Sequence, residues 1–345
     1  MRGANKVSKK EKNSSSDSRI NLSKTDKNKP LYKPKGLENG LNICVQNAGL
    51  QLLASCFKGD ENITKYYTSL TNHRKNPNKQ AQKMILNFFK KINEPSSQNE
   101  TYISIKDGYE QVLNAYNLYK DGKLKEEVDI GNGQGGDSPS IIGFVLEILF
   151  GSGKKRNPSV YIDKEGGSYV WIEDSVYCMR SGDGSSLQRS VWNAIYNKEM
   201  NSGNIIQTND LEIFILDKKT YIEPTNEPVT VMVPFISKIY EENPNFIYPR
   251  KKMKGSTFGI MEMTLRGVFT KPKWHFVAYR QGIDGNWYKC SDEKVNRCSQ
   301  EDAIKAYNKN GEKLLFSKKK IIEDKELTWD QYSNFDQFMS AISAN

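Results

Sequence analysis

Histidine is nearly absent from this chain, whose 345 residues contain only two, His73 and His275. Cysteine is also scarce, and its five residues form no Cys-x-x-Cys pair, which argues against a cysteine-rich zinc site and against a disulfide framework. No apolar run reaches the roughly 18 to 20 residues that a membrane span requires. The longest candidate, IIGFVLEILF, contains Glu147, and the N-terminus is polar, without the pattern of a secretory signal. We therefore expect no membrane span and a reducing compartment, the cytosol.

Positive charge is concentrated at one end of the chain. The formal net charge is +10, and residues 1–35 hold eleven Lys or Arg against three Asp or Glu, which leaves the remainder nearly neutral. Residues 1–33 are rich in Lys, Ser and Asn, a composition typical of disordered segments. A basic arm can contact nucleic acid or an anionic membrane. Aromatic residues are nearly absent there, which favours a solvated arm, so we predict a disordered basic tail over 1–33 and no nucleic-acid partner.

A loop rich in glycine and asparagine changes into an apolar helix at Cys44. Residues 36–42 resist helix formation, whereas apolar residues recur at helical spacing from Cys44 onward. We predict that a helix begins at about Cys44, where unpaired backbone amides and the positive end of the helix dipole stabilise a thiolate. This is a common way to activate a nucleophilic cysteine. The alternative is that Cys44 is a small buried hydrophobic residue.

The rest of the folded chain divides into a helical and a β-rich part, so the expected fold class is α+β. Two helical patterns and an apolar segment, 141–150, predict a helical lobe over 34–150. The two patterns are Met84, Ile85, Phe88, Phe89 and Ile92, and Val112, Leu113, Tyr116 and Tyr119. Short β-branched or aromatic runs separated by turn residues predict a mostly β lobe over 151–317. A C-terminal amphipathic helical segment, 318–345, is expected to pack on the core or to bind a partner.

His275 is better placed than His73 to serve a cysteine nucleophile as general base. His73 lies in a polar loop, SLTNHRKNPNK, whereas His275 lies in KWHFVAYR, which has the pattern of a strand. WHFVAYR and NWYKC flank the loop GIDG and predict a hairpin. With a four-residue loop, His275 faces Asp292 within hydrogen-bonding reach, and a slip of one residue places Ser291 there instead. The alternatives are a histidine satisfied in the core and a solvated carboxylate.

Three blocks follow one another along the chain: GLENGLNICVQNAGLQLL (36–53), GGDSPSIIGFVLEIL (135–149), and WHFVAYR with WYKCSDEKV (274–295). They resemble the cysteine, aspartate and histidine blocks of the ubiquitin-specific proteases, a family of papain-like cysteine peptidases. Nine residues of the first block are in register with the family pattern: Gly36, Leu37, Asn39, Asn42, Cys44, Asn47, Leu50, Gln51 and Leu53. The resemblance implies one catalytic domain over 34–317, with a helical thumb lobe followed by an antiparallel palm and fingers sheet.

The resemblance also implies an activity and a set of roles. The chain would be a thiol-dependent deubiquitinase that hydrolyses isopeptide bonds at the C-terminal glycine of ubiquitin or a ubiquitin-like modifier, with no metal or organic cofactor. Cys44 would attack the carbonyl, and His275 would deprotonate the thiol and later protonate the leaving lysine amine. Asn39 would donate to the oxyanion together with backbone amides near Cys44. The third catalytic position aligns with Ser291, and Asp292 aligns with the acidic residue beside it.

The chain departs from the family pattern at several positions. Trp274 stands where the family has glycine, Gly135 and Gly136 replace a glutamine pair, and without Cys-x-x-Cys motifs a fingers sheet must be held by packing alone. Two alternatives stay open. One is a ubiquitin-binding pseudo-protease, motivated by Trp274 and Ser291, and the other is a different papain-like or transglutaminase-like Cys-His-Asp enzyme. The Ser- and Lys-rich leader is also consistent with an effector delivered into a host cytosol.

Overall fold

The computed structural model describes the chain in separate stretches. These are 32–40, 43–57, 79–119, 141–142, 145–146, 148–149, 161–162, 169–170, 172–173, 176–180, 186–195, 213–217, 220–238 and 257–343. They all belong to one compact unit, Tyr32–Asn345. The predicted disordered tail, apart from its last two residues, lies outside the described residues, as do His73 and residues 135–140 of the second sequence block.

The described residues form a mixed arrangement of helices and largely antiparallel sheet, as predicted. The helices are α1 Cys44–Ala54, α2 Lys79–Asn93, α3 Tyr109–Tyr119, α4 Leu187–Ile195, α5 Gln300–Asn310, α6 Trp329–Ser333 and α7 Phe335–Ser343. The strands are β1 Gly36–Leu37, β2 Tyr102–Ile103, β3 Tyr161–Ile162, β4 Tyr169–Val170, β5 Ile172–Glu173, β6 Val176–Arg180, β7 Ile213–Asp217, β8 Thr230–Lys238, β9 Thr257–Thr270, β10 Val277–Gln281, β11 Trp287–Ser291, β12 Lys294–Cys298 and β13 Gly311–Leu327. None of the described helices is long and apolar enough to cross a bilayer.

Strand β9 organises the main sheet. The strand order is β12-β11-β10-β9-β13-β7-β6-β5, and β8 also pairs with β9. One edge of β9 pairs with β13 along most of its length, while the other edge pairs first with β8 and then with β10. Its residues are mostly buried because both faces of the sheet are covered. The β10–β11–β12 meander continues from this strand and carries the histidine block.

The two predicted helical patterns are confirmed as α2 and α3, and they pack with α1 against one part of the sheet. Their apolar residues share a cluster with Phe269 and Ala278 of the sheet. The described residues between 141 and 149 are helical and buried, as expected for the apolar segment. The described residues within 151–317 are mostly in strands, as predicted, although helices α4 and α5 were not predicted. Helix α5 begins at a capping box formed by Ser299 and Asp302, a signal present in the sequence SQED.

The C-terminal segment is only partly helical, which corrects the prediction for 318–345. Strand β13 continues to Leu327 because it remains paired with the long apolar strand β9, and helix begins only at Trp329. The two short helices then pack on the core. Phe338 and Tyr332 are buried, and the Tyr332 ring stacks on Phe258 with centroids 4.2 Å apart.

A buried arginine joins α1 to the sheet. Arg280 of β10 is 0% exposed, and it donates from Nε to Gln51 Oε1 at 2.8 Å and from Nη1 to Asn93 Oδ1 at 2.7 Å. Gln51 in turn donates to the Lys35 carbonyl at 2.8 Å. No carboxylate of the described chain pairs with Arg280, so these amide oxygens stabilise the buried charge. The cysteine-block helix is thereby fixed against the strand that follows His275.

Gln51→Met is expected to lower the free energy of unfolding by about 2–4 kcal/mol, because a buried cation loses one of its two acceptors. Urea unfolding measures the change. Gln111→Met, on the partly exposed side of α3, is the matched control and is expected to stay within about 0.5 kcal/mol of the wild type. A Gln51→Met protein as stable as this control would contradict the role given to Arg280.

Candidate active site

Cys44 is the first residue of helix α1, as predicted. Its thiol is free and half-buried. Ile43 occupies the N-cap without a capping side chain, and the first helical bond runs from Asn47 N to Ile43 O at 2.9 Å. The amides of the first turn therefore have no partner within the helix, and the positive end of the helix dipole lies at the thiol.

The hairpin of the histidine block forms, but its register differs from the predicted one by one residue. Ala278 pairs with Cys290 and Gln281 with Trp287. Gly282 N donates to Asn286 O at 2.8 Å, so the loop contains three residues rather than four. The reason is Gly285, whose φ of +82° supplies the left-handed residue that a three-residue loop requires. Direct opposition of His275 and Asp292 across the two strands is therefore wrong.

His275 itself lies before β10, not on a strand, which also corrects the prediction. Its amide donates to Pro272 O at 3.2 Å and closes a turn that contains Lys273 at φ +58°. From this position the imidazole still reaches the end of β11. Nε2 lies 2.8 Å from Ser291 Oγ and 3.8 Å from Asp292 Oδ2. The structure thus brings His275, Ser291 and Asp292 together by side-chain reach rather than by strand pairing.

Asp292 occupies a demanding position in the turn between β11 and β12. Its φ of +50° is uncommon for a residue other than glycine, although aspartate tolerates it better than most. Its carboxylate is 9% exposed and accepts from Asn47 Nδ2 and from Asn39 Nδ2, each at 2.9 Å. Burial raises the pKa of Asp292, while the donor amides and nearby His275 oppose that rise. An uncommon backbone conformation that holds a buried acid beside a histidine points to function.

Asn39 connects this acid to the start of α1. Its Oδ1 accepts from Ile43 N at 2.8 Å, so Nδ2 is the group that faces Asp292. The amide of Asn39 also donates to Glu293 Oε1 at 2.7 Å. The loop before Cys44 is therefore fixed to the β11–β12 turn. One of the two N–H groups on Nδ2 is used in this way, and the other is the donor that the predicted oxyanion role requires.

Asn47 is a site residue to which the sequence reasoning gave no role. It is buried on α1, three residues after Cys44, and its Nδ2 donates to Asp292 Oδ1 and to Glu38 O at 3.1 Å. The signal was available, because a polar residue on an apolar helix must find partners inside the protein. Gly36 of β1 packs directly against the β11–β12 turn, because a Cβ at this position would lie 2.4 Å from Glu293 O. Only glycine lets β1 pass so close to this turn.

Within the described part of the chain, no hydrogen bond joins Cys44 to His275, a bond that often forms only with substrate present. Trp274, beside the histidine, is 93% exposed and so makes few contacts with the described chain. Among the described residues there is also no group of three or more His, Cys, Asp or Glu arranged to hold a metal ion.

Comparisons with known proteins give no sequence match: no protein-family model matches the chain, and no curated protein does. Among solved structures it is similar to the SAGA DUB module (Ubp8/Sgf11/Sus1/Sgf73) bound to ubiquitin aldehyde, with a TM-score of 0.47 and 11% identity over 84% of this chain and 70% of that one. The same module with a cysteine-to-alanine change in Ubp8 and monoubiquitin bound matches with a TM-score of 0.46 and 12% identity. The match again covers 84% of this chain and 70% of that one. Another structure of the module matches with a TM-score of 0.45 and 14% identity, over 84% of this chain and 68% of that one.

Asp292→Asn is expected to lower the free energy of unfolding by about 1–3 kcal/mol, because one side-chain donor, of Asn47 or of Asn39, then faces another N–H group. The backbone is unaffected, since asparagine also accepts a positive φ. Asp292→Ala is expected to lose about 1 kcal/mol more, because alanine adds strain at this φ. Thermal or urea unfolding of the three proteins measures both effects, and equal stability of all three would contradict this account of the turn.

Proposed function

We propose that this chain is a thiol-dependent deubiquitinase that hydrolyses isopeptide bonds at the C-terminal glycine of ubiquitin or a ubiquitin-like modifier. The observation that carries the proposal is the 2.8 Å contact between His275 Nε2 and Ser291 Oγ, with Asp292 beside it and Asn39 linking that acid to the helix of Cys44. The resemblance of the sequence blocks supplies the substrate class. In this proposal residues 34–317 are a papain-like catalytic domain with thumb and palm lobes, preceded by the basic tail 1–33 and followed by segment 318–345.

The hydrogen bond of His275 determines which ring nitrogen acts as the base. If Nε2–H donates to Ser291 Oγ, Nδ1 is the unprotonated nitrogen. Nδ1 has no hydrogen-bond partner among the described residues, so it is available to take the proton of the Cys44 thiol. The imidazolium formed in that step is stabilised by the Asp292 carboxylate, 3.8 Å from Nε2.

The reaction then follows the course of other thiol hydrolases. The Cys44 thiolate attacks the carbonyl carbon of the terminal glycine, and the negative charge that develops on the oxygen is stabilised by Asn39 and by amides at the start of α1. The protonated His275 gives its proton to the leaving lysine amine, which leaves an acyl-thioester on Cys44. Water, deprotonated by His275, hydrolyses that thioester. No metal or organic cofactor has a part in these steps.

The first test is reaction with ubiquitin that carries a thiol-reactive electrophile at its C-terminus. A mass increase equal to one ubiquitin is expected for the wild type and for Cys56→Ala, and none for Cys44→Ala. Cys56 is the matched control because it is buried, 2% exposed, at the other end of α1.

The other outcomes of this test discriminate between functions. Ubiquitin binding without labelling would favour the pseudo-protease alternative. Turnover of a fluorogenic peptide without ubiquitin hydrolysis would favour another papain-like enzyme. Labelling that persists in Cys44→Ala would overturn the choice of nucleophile.

Ser291→Ala is expected to lower kcat on a fluorogenic ubiquitin substrate by about 10- to 100-fold with little change in KM, because a hydrogen bond to an ionisable group is lost while the substrate surface is intact. Ser291→Thr retains the hydroxyl and is expected to restore most of the rate. Steady-state kinetics of both variants decides the point. An unchanged kcat in Ser291→Ala would mean that Asp292 alone orients the imidazole.

A further inference from the structure

A cavity lies in a gap of the main sheet. Strand β8 pairs with β9 up to Thr264, and β10 begins its pairing at Gly267. Between these points no strand covers the edge of β9 within the described sheet, and the space left is a cavity of about 440 Å³. We call it the sheet notch. Its wall includes Leu265, Arg266, Gln281, Trp287 and Arg297.

The sheet notch is separate from the candidate active site. Gln281 lines it, whereas His275 precedes the other end of the same strand, β10. Four residue steps of a strand span about 13 Å. A ligand in the notch therefore does not contact His275 or Ser291, and the deubiquitinase proposal does not account for this cavity.

Two guanidinium groups in the notch wall have no carboxylate partner among the described residues. Arg266 donates from Nε to Ser317 Oγ at 2.8 Å and from Nη1 to Gln281 Oε1 at 2.7 Å, and both acceptors are neutral. Arg297 donates from Nη2 to Asn286 Oδ1 at 2.6 Å, also a neutral acceptor. These bonds fix the orientation of both groups without neutralising them, which prepares them for an anion.

Two carboxylates of residues adjoining the notch are hydrogen-bonded or ion-paired to groups other than these arginines. Asp284 accepts from Asn286 Nδ2 at 2.6 Å and from the Tyr288 hydroxyl at 2.7 Å. Glu301 lies 2.6 Å from Lys305 Nζ and accepts from Asn226 Nδ2 at 3.3 Å. Neither carboxylate forms an ion pair with Arg266 or Arg297 among the described residues, so both guanidinium groups can still bind an anion directly.

The notch also has an apolar side, formed by Leu265, Trp287 and Pro228. Its volume is in the range of small-molecule sites, roughly 300–1,000 Å³. A phosphate monoester carries up to two negative charges above its second ionisation, near pH 6, which matches the two guanidinium groups better than a single carboxylate does. We propose that the sheet notch binds a phosphate monoester, with the phosphate on Arg266 and Arg297 and an apolar or aromatic body against Trp287 and Pro228.

The test is calorimetric titration of the full chain with phenyl phosphate and with inorganic phosphate. Phenyl phosphate is expected to bind more tightly, because only it has a body for the apolar side, and to bind more weakly at pH 5.5 than at pH 7.5, because it loses charge. Arg266→Met and Arg297→Met are each expected to weaken binding by about tenfold or more. Lys289→Met removes an exposed charge from β11 outside the notch and is the matched control, expected to bind within about twofold of the wild type.

Several results would overturn the proposal. These are no saturable binding of phenyl phosphate up to about 10 mM, binding that both arginine variants retain, and inorganic phosphate binding as tightly as phenyl phosphate. Arg297 is exposed and its one described partner is Asn286, so its variant gives a decisive answer even if Arg266→Met does not fold. Cys44→Ala is expected to bind phenyl phosphate as the wild type does, which keeps this result independent of the hydrolase test.

Discussion

The buried carboxylate of Asp292 is the contact on which the candidate site depends. It receives one amide N–H from Asn47 on helix α1 and one from Asn39 in the loop before that helix. An ionised group with this little solvent is stable only when its oxygens are hydrogen-bonded. Asn39 precedes Cys44 and Asn47 follows it, so the bonds that satisfy the acid also fix the segment around Cys44 against the histidine block.

A second connection lies about one turn further along α1, on the same face of the helix. There the buried Arg280 guanidinium is held by Gln51 and Asn93, and it joins the helix to β10. The helix is thus attached to the sheet through two polar contacts, one anionic and one cationic, at different positions along its length. Apolar packing alone allows a helix to slide or rotate on a sheet, whereas directional bonds to a buried charge define one arrangement. The candidate site combines residues more than two hundred positions apart in the sequence. A fixed position of α1 on the sheet therefore matters more for its geometry than additional buried area.

Much of this arrangement was predictable from local signals. The start of α1 followed from glycine and asparagine giving way to helical apolar spacing, and α2 and α3 followed from their periodicity. The predicted hairpin register was wrong by one residue because the sequence QGIDGN is compatible with a loop of three or of four residues. The left-handed conformation of Gly285 selects the three-residue loop. His275 was misplaced because Val277 to Gln281 has so strong a strand pattern that it appears to extend further back. The turn from Pro272 to His275 prevents this extension, so the strand begins only at Val277.

The features missed altogether depend on tertiary contacts. Asn47 has no local sign of its partner, which lies 245 positions away, and the positive φ of Asp292 follows from a turn of only two residues between paired strands. Strand β13 continues through a lysine-rich run because β9 supplies a long partner, a condition that no short window of sequence contains. Helix α5 is the exception, since its capping box was visible in the sequence.

The conformation of Asp292 has a consequence for recognising relatives of this chain. The backbone there admits glycine, asparagine or aspartate with little strain, while the two facing amides require an acceptor on each side. Aspartate is the residue that meets both conditions. An aspartate four residues after a Trp-Tyr pair and an asparagine three residues after the cysteine are therefore expected to occur together in chains that form this contact. This expectation rests on stereochemistry, so it is applicable even where overall identity is too low for an alignment.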